Sequence, residues 1–509
     1  MATIIDFLNG IIWSPALIFL CLGAGLYFSV RTRFMQVRGI KEMLSLMFKG
    51  EKSPAGISSF QALAMSLSGR VGTGNIAGVA TAIAYGGPGA IFWMWVVAFL
   101  GASTAYVEST LGQIYKEKDD NGQYRGGPAY YIEKAMGLKS YAWLFAVATA
   151  VATGLFLPGV QANSIASGVE NAWGITPTIT AIVTVIGLAI IIFGGVKRIA
   201  SFAEVVVPVM AIAYIMIAVV IVAMNASQIP DMFALIIENA FGFDAGFGAM
   251  IGMAIMWGVK RGVYSNEAGQ GTGPHPAAAA EVSHPAKQGY VQAFSVYIDT
   301  LFVCTATAFM LLATNSYNVH GADGTMIVEG LAGVAAGPGF TQAAVESVLP
   351  GFGASFVALA LMFFSFTTML AYYYMADSNI AYINRTANRP WLTLVMKVLF
   401  LGAVAYGTIH SAGVAWGLGD VGVGLMAWLN IVAIIILQKP ALACLKDYET
   451  QKKAGLNPIF EPQKLGIKNA ELWDEIRVRN EAMAKADKLK ESEYVQDDDE
   501  DDDPEPAIA

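Results

Sequence analysis

Charge is scarce in this chain. Of its 509 residues only 14% are Asp, Glu, Lys or Arg while 55% are hydrophobic, more apolar surface than one water-soluble domain can bury. Cysteine is scarcer still: Cys21, Cys304 and Cys444 are too scattered for a disulfide framework and share no metal-ligand spacing with the four histidines. There is no HExxH motif and no Ser–His pair, and His410 stands alone at the end of an apolar run, so an enzyme is not expected. The first ten residues carry Asp6 but no Lys or Arg, so they lack the basic start of a cleavable leader, and the first apolar run is expected to be retained.

What the chain has instead is long apolar runs. A stretch of about 20 apolar residues crosses the hydrocarbon core as a helix. Eleven candidates meet that description: 11–30, 58–84, 88–113, 141–172, 176–195, 200–225, 246–266, 288–314, 352–383, 391–411 and 415–437. The expected fold class is therefore an all-α polytopic membrane protein.

The basic residues test this count, because short cytoplasmic loops accumulate Lys and Arg. With the N-terminus outside, the outer segments 1–10, 85–87, 173–175, 226–245, 315–351 and 412–414 contain neither. Of the 31 basic residues, Arg70, Lys260, Arg261 and Lys397 fall inside candidate spans and all the others fall on the inner side. The expected topology is N-terminus out, C-terminus cytoplasmic, in the cell membrane, the inner one if the cell has two. Beyond the last span, 439–509 reads as a cytoplasmic tail, at best a short helix ending in the acidic run 497–506, which is too poor in apolar residues to pack.

One apolar run is interrupted. Within 58–84 the stretch from Ser66 to Gly78 is rich in glycine and polar residues. In a soluble protein it could cradle a phosphate; within a membrane, irregular backbone persists only where it is buried in protein or lines a cavity. Glycines between Gly69 and Asn75 permit unwinding and close approach of a ligand. A second half-helix starting near Asn75 would aim its free N–H groups at an anion such as an amino-acid carboxylate, while carbonyls around Gly69 and Gly72 would suit Na⁺. The bland alternative is helix packing through Gly74 and Gly78, but Arg70, Thr73 and Asn75 are polar where packing would prefer Ala or Ser.

A weak internal repeat strengthens the transporter reading. Arg70, Asn75, Ala77 and Gly78 match Arg261, Asn266, Ala268 and Gly269, each pair 191 residues apart. Five spans separate the two stretches, so the second copy enters from the opposite side. Residues 1–52 would then hold a peripheral first helix and loop, 53–225 and 226–438 two inverted five-helix repeats, and 439–509 the tail, an arrangement typical of secondary transporters. In the second stretch Gly258 and Gly262 are the expected break, Met256 and Trp257 an apolar pocket wall, and Lys260, Arg261 and Glu267 the lining of an inner vestibule.

Other polar residues lie within spans. Gln161 and Asn163 suit a zwitterion or interhelical bonding. Ser365, Thr367 and Thr368 offer hydroxyls for a hard cation, or bond back to their own helix, beneath Tyr372, Tyr373 and Tyr374. Asp299 sits mid-span, where an ionisable group is a functional candidate by default, and pairing with Arg70 would neutralise both. Glu108 and Glu204 lie nearer inner ends and are expected to snorkel or pair.

The stretches Gly69–Ala80, Gly86–Trp95, Gly126–Ile132, Gln161–Ser164, Ser265–Gly269 and Ile298–Thr300 resemble the bacterial and archaeal sodium:alanine (alanine/glycine:cation) symporters. The resemblance implies a LeuT-like fold with an extra first helix, and Na⁺-coupled uptake of alanine or glycine by alternating access. It also implies that Thr73, Gly74 and Asn75 meet the substrate carboxylate, Gln161 its polar head, and Thr367 and Thr368 the sodium. Two departures are Arg70, where many members carry a small polar residue, and Tyr372, where many carry a pocket-wall Trp. The added hydroxyl would suit serine, glutamine or another polar neutral amino acid. Proton coupling is the main alternative and an ion channel the alternative of another class. No cofactor beyond Na⁺ as coupling ion and no nucleic-acid partner is expected; the lipid bilayer is.

Overall fold

The computed structural model describes residues 2–48, 55–119, 121–242, 250–387 and 389–479. Among the described residues seven helices are long and apolar enough to cross a membrane: Ala90–Ile114, Lys139–Trp173, Gly195–Met224, Pro285–Ala313, Gly353–Arg385, Trp391–Ile409 and Ala412–Lys453. The pair Ala2–Ile12 and Pro15–Arg31, bent by 43°, makes an eighth if it is one span. Three of the eleven expected segments fall short among the described residues: 58–84 is broken, while Pro177–Ile192 and Ile251–Asn266 are 16 residues each, the first four residues of the expected span 246–266 lying outside the described residues.

The broken segment has clear local causes. A capping box starts it: Ser58 Oγ accepts from Gln61 N and Gln61 Oε1 accepts from Ser58 N, both at 3.1 Å. The helix Ser59–Arg70 ends at Val71, which leaves helical geometry at ψ 86°. After Gly72 the chain resumes as a π-helical turn, Gly74–Gly78, and continues as Val79–Gly86. Such single π turns recur at functional sites because they turn side chains out of register.

The second break lies elsewhere than expected. Helix Ile251–Asn266 runs unbroken through Gly258 and Gly262 and stops at Glu267, whose φ is 58°. Gly258 and Gly262 are close-packing positions. A Cβ on Gly258 would meet the Ala90 carbonyl oxygen at 2.5 Å and Trp93 Cβ at 2.6 Å, and one on Gly262 would strike Val97. The glycines of the break are Gly269 and Gly271, with φ of 86° and 81° that only glycine adopts freely. The matched stretches of the internal repeat therefore break at non-equivalent places, before Asn75 but after Asn266.

The tail also differs from expectation. Helix Ala412–Lys453 runs straight past 437, and residues 462–479 fold back as an arm. Trp473 is buried and its indole donates to the Gln113 carbonyl at 3.0 Å, while Arg479 pairs with Glu281 at 2.6 Å. Lys116 lies beneath this arm, 4.1 Å from the Tyr124 ring centre, and burial pushes its pKa down to about 7. Its apolar anchors, Ile467, Ala470, Trp473 and Ile476, are too widely spaced to register as a span yet enough to dock the segment. The acidic run 497–506 lies outside the described residues.

Overpacking a tight helix contact costs about 1–3 kcal/mol. Gly262→Leu is accordingly expected to lower the unfolding temperature of the purified protein in detergent, whereas Gly252→Ala, with nothing within 4 Å, is expected to leave it unchanged. Equal melting of the two variants would contradict the packing role.

Candidate functional site

The break at Val71–Thr73 is held by one side chain of the same turn and one from a distant helix. Gly72 N donates to Asn75 Oδ1 at 2.8 Å and Thr73 N donates to Gln161 Oε1 at 3.0 Å. Gly72 has to be glycine, since a Cβ there would lie 2.5 Å from Thr368 Oγ1 and 3.0 Å from Gln161 Oε1. Asn75 in turn donates to Asp299 Oδ1 at 2.6 Å. Asp299 sits in a π-helical stretch, Ile298–Cys304, and also accepts from Ser265 Oγ at 3.0 Å and Thr300 Oγ1 at 2.6 Å. Gly74 faces Tyr264 and Ser265, both within 3.4 Å of its Cβ position.

Two hydroxyls in this cluster have no hydrogen-bond partner although both are buried, those of Thr73 and Tyr264. Buried polar groups are seldom left so unless water or a ligand completes them. Together with the N–H groups of the π turn they form a donor-rich cluster of a kind suited to a carboxylate.

Oxygen atoms for a cation converge on the other side of the break. Thr368 Oγ1 lies 2.6 Å from the Ser68 carbonyl oxygen and 3.4 Å from that of Val71. Its hydroxyl proton has a second acceptor, Phe364 O at 2.9 Å, to which it can turn and so free a lone pair. Three hard oxygens from a helix end and a hydroxyl are the donor type that Na⁺ takes. Thr367 is not part of this group: its hydroxyl bonds back to Phe363 O and Phe364 O of its own helix, at 3.0 and 2.9 Å.

Other expected site residues stand apart. Asn163 is tied to the end of a neighbouring helix, donating to Gly407 O at 3.1 Å and His410 O at 2.7 Å. Trp257 stacks on Tyr85 with centroids 4.9 Å apart, at the far end of Val79–Gly86, and Met256 beside it is only half-buried. The helix brings Tyr264 and Ser265 to the break instead, two turns further on, because it is not interrupted at Gly258. Tyr372 is buried beside Glu267, at the edge of the cluster.

The charged residues are arranged differently from expectation. Among the described residues no carboxylate ion-pairs with Arg70. Its Nη1 donates to Gln292 O at 3.1 Å and to Ser295 Oγ, and Asp299 is satisfied by Asn75, Ser265 and Thr300. Lys260 and Arg261 are committed to an ion cluster: both clamp Asp420, at 2.7 and 2.8 Å, with Arg261 lying 4.5 Å from the Trp416 ring centre. Glu108 does not snorkel. It is buried at the second break, where Oε1 accepts from Gly269 N at 3.2 Å and Oε2 from Gly271 N at 3.1 Å and Asn430 Nδ2 at 2.6 Å. Glu204 accepts from Gln61 at 2.9 Å. Glu108 and Asp420 are functional candidates that the linear reading missed or undervalued, and an acid within an apolar helix was the signal available.

Two cavities flank the cluster. One of about 540 Å³ is lined by Asn163, Ser164, Gln342 and Trp416, and one of about 590 Å³ by Arg125, Tyr130, Tyr373 and Asp377. The Asp420 clamp with Trp416 stands on the first side. On the second, Arg125 pairs with Asp119 and Asp377, each at 2.7 Å.

The sodium:alanine symporter family model matches residues 1–462. A putative sodium/proton-dependent alanine carrier protein of Bacillus subtilis (strain 168) is 63% identical over 474 residues, covering 93% of this chain and 98% of the relative. A sodium/proton-dependent alanine carrier protein of Bacillus sp. (strain PS3) is 53% identical, over 85% and 97% of the two chains. A probable sodium/glutamine symporter of Bacillus subtilis is 42% identical, over 92% and 95%.

Removing one partner of a buried ion cluster costs about 3–5 kcal/mol because the remaining charge is left without compensation. Asp420→Ala strands Lys260 and Arg261 together and is expected to lower the detergent melting temperature sharply. A drop no greater than that of an exposed-site control would show that the cluster contributes little to the stability of the fold.

Proposed function

The chain belongs to the sodium:alanine symporter family, and on that premise we propose that it moves alanine, or a neutral amino acid of similar size, into the cell together with Na⁺. The observation that carries this reading is the first break itself. One face presents N–H groups with the unpaired hydroxyls of Thr73 and Tyr264 to a carboxylate. The other presents the carbonyls of Ser68 and Val71 with Thr368 Oγ1 to a cation. Both lie on one short segment, so filling the cation place fixes the carbonyl ends and sets the N–H ends for the substrate. Gln161, already bound to Thr73 N, orients the zwitterion from the side.

We read the helices as eleven spans with the N-terminus outside and the C-terminus in the cytoplasm. Residues 53–225 and 226–438 are then inverted halves of a LeuT-like fold. The even segregation of Lys and Arg supports this count, and so does a broken helix in each half. On this orientation the Asp420 clamp closes the outer side and the Arg125 pairs close the inner side. Alternating access then means opening one while the other holds.

A second substrate reading rests on Tyr372. Its hydroxyl, beside Glu267, makes the pocket edge more polar and would suit serine or glutamine, and one relative carries the name of a sodium/glutamine symporter.

In proteoliposomes an inward Na⁺ gradient is expected to drive uptake of labelled alanine, with unlabelled amino acids ranking the pocket by competition; uptake indifferent to Na⁺ would overturn the reading. Loss of one cation ligand is expected to raise the half-saturating Na⁺ concentration about tenfold or more, equivalent to about 1.4 kcal/mol. Thr368→Val should show this shift and Thr367→Val should not. Gln161→Ala is expected to raise the KM for alanine by about tenfold, the loss of one buried hydrogen bond.

A further inference from the structure

The arm at 462–479 begins where the match to the family model ends, and it crosses from one of the two halves to the other. Its root belongs to the second half. The chain leaves helix Ala412–Lys453, Ser283 Oγ donates to Pro458 O at 2.7 Å, and Phe460 N donates to Ser283 O at 3.0 Å. Its tip lies on the first half. There Trp473 donates to Gln113 O at 3.0 Å, Asn469 Nδ2 donates to Lys134 O at 2.6 Å, and Glu475 ion-pairs with Lys118. Between root and tip the turn Pro462–Leu465, closed by Ile467 N donating to Pro462 O at 2.9 Å, keeps the link short.

Beneath the arm the halves meet through hydrogen bonds to backbone. Ile57 N donates to Ala279 O at 3.0 Å and Glu281 N donates to Ile57 O at 2.8 Å. Gln113 Nε2 and Lys116 Nζ both donate to Ala280 O, at 3.0 and 2.9 Å. Ile57 stands two residues before helix Ser59–Arg70, whose far end is the first break. The arm seals this seam. The Lys116 ammonium is held between the rings of Tyr124 and Trp473, 4.1 and 5.1 Å from their centres. Arg479 closes the edge, donating to Tyr124 Oη at 3.0 Å and to Glu281 Oε1 at 2.6 Å. Ile57, Lys116 and Ala280 are all buried. Water that reaches such bonds competes for them, so their net contribution depends on the cover.

We propose that the arm is an autoinhibitory strap that holds the inner side shut, and that transport requires its tip to leave the first half; this rests on the transport reading and the orientation above. Alternating access moves one half against the other. Opening on the inner side draws Ser283 away from Gln113 and Lys118, and a tip that stays docked resists that movement. When the tip leaves, Trp473 uncovers Lys116, the ammonium hydrates, and water reaches the carbonyl of Ala280. The bonds at Ile57 then lose their cover, and the inner end of helix Ser59–Arg70 is free to move. The tip is a separate segment resting on the outside of the bundle, so it detaches without unpacking any span.

The test ties the tip down reversibly in the full chain. Lys118→Cys with Glu475→Cys places thiols on two exposed positions whose side chains meet, while Cys21, Cys304 and Cys444 are buried. A bifunctional methanethiosulfonate joins the pair before reconstitution into proteoliposomes. Na⁺-driven alanine uptake is expected to fall below a tenth of the unlinked rate and to return when a reductant cleaves the link, with the two single-cysteine variants unaffected by the reagent. Linked protein that transports at the unlinked rate would overturn the proposal. The converse variant, Trp473→Ala with Arg479→Gln, loosens the tip. Hydrogen exchange over 55–70 in detergent is expected to quicken about tenfold or more, with helix Trp391–Ile409 unchanged as the reference. Exchange over 55–70 equal to wild type, or quickened no more than the reference helix, would also overturn the strap. Absence of Na⁺-driven uptake in wild type would overturn the transport reading instead, and the exchange measurement would still judge the strap.

Discussion

A backbone N–H or C=O without a partner in hydrocarbon costs several kcal/mol, and this chain interrupts two helices within its apolar bundle. Each interruption survives because side chains, most of them from distant segments, stand in for the missing helical bonds. At the first, Asn75 and Gln161 take the N–H groups of Gly72 and Thr73, while Thr368 donates to the carbonyl of Ser68. At the second, the Glu108 carboxylate takes the N–H groups of Gly269 and Gly271, and Asn430 donates to the Gly269 carbonyl. The close packing of Gly258 and Gly262 on helix Ala90–Ile114 carries Glu108 and the second break to the same level.

The two breaks differ in kind. The first is short and neutral: its partners are amides and hydroxyls, each replaceable by a ligand atom with little electrostatic cost. The second is longer and fixed by a buried carboxylate with donors on both oxygens. A charge so solvated resists rearrangement, because moving it away from its N–H groups exposes it to a low-dielectric interior. The first break is therefore the more readily rearranged of the two and the second the more firmly fixed.

How much of this was legible in the sequence follows from the same physics. The first break was visible because Gly69, Gly72 and Gly74 interrupt an apolar run, and apolar runs tolerate glycine and polar residues for few reasons. The second was misplaced by several residues, because Gly258 and Gly262 look the same on paper whether they unwind a helix or let a neighbour approach. Thr367 and Thr368 are adjacent and chemically alike, yet helical geometry turns Thr368 to the Ser68 carbonyl at the break and leaves Thr367 on its own backbone. Periodicity alone does not fix which. Glu108 read as a group near an inner end, since linear position says nothing of a loop 161 residues later folding its N–H groups onto it. The Arg70–Asp299 pair was inferred from charge balance among spans, and charge balance is insensitive to hydroxyl and amide donors, which turned out to satisfy Asp299 completely. The docked arm at 462–479 escaped notice because its apolar residues are sparse and lie among charges.

The helix Ala412–Lys453 gives these parts a mechanical relation. Its Asp420 anchors the Lys260–Arg261 clamp, its Asn430 completes the shell of Glu108, and its Asp447 meets His284 at 3.1 Å near the opposite end of the molecule. A helix is stiff along its axis at 1.5 Å per residue, so a displacement at Asp420 is felt at Asn430, ten residues or about 15 Å away. The Asn430 amide is bonded both to Glu108 and to the Gly269 carbonyl and leaves little slack there. Moving Asp420 away from Lys260 and Arg261 along this helix therefore also loads Asn430 and the second break. Either the helix bends between 420 and 430, where Gly422 and Gly424 lie, or the foundation under the second break moves with it. The close approach of Gly422 to Ala152, where a Cβ would sit 2.9 Å from the alanine side chain, blocks free bending toward the helix that carries Gln161. That contact ties helix Ala412–Lys453 to the segment whose Gln161 holds the N–H of Thr73.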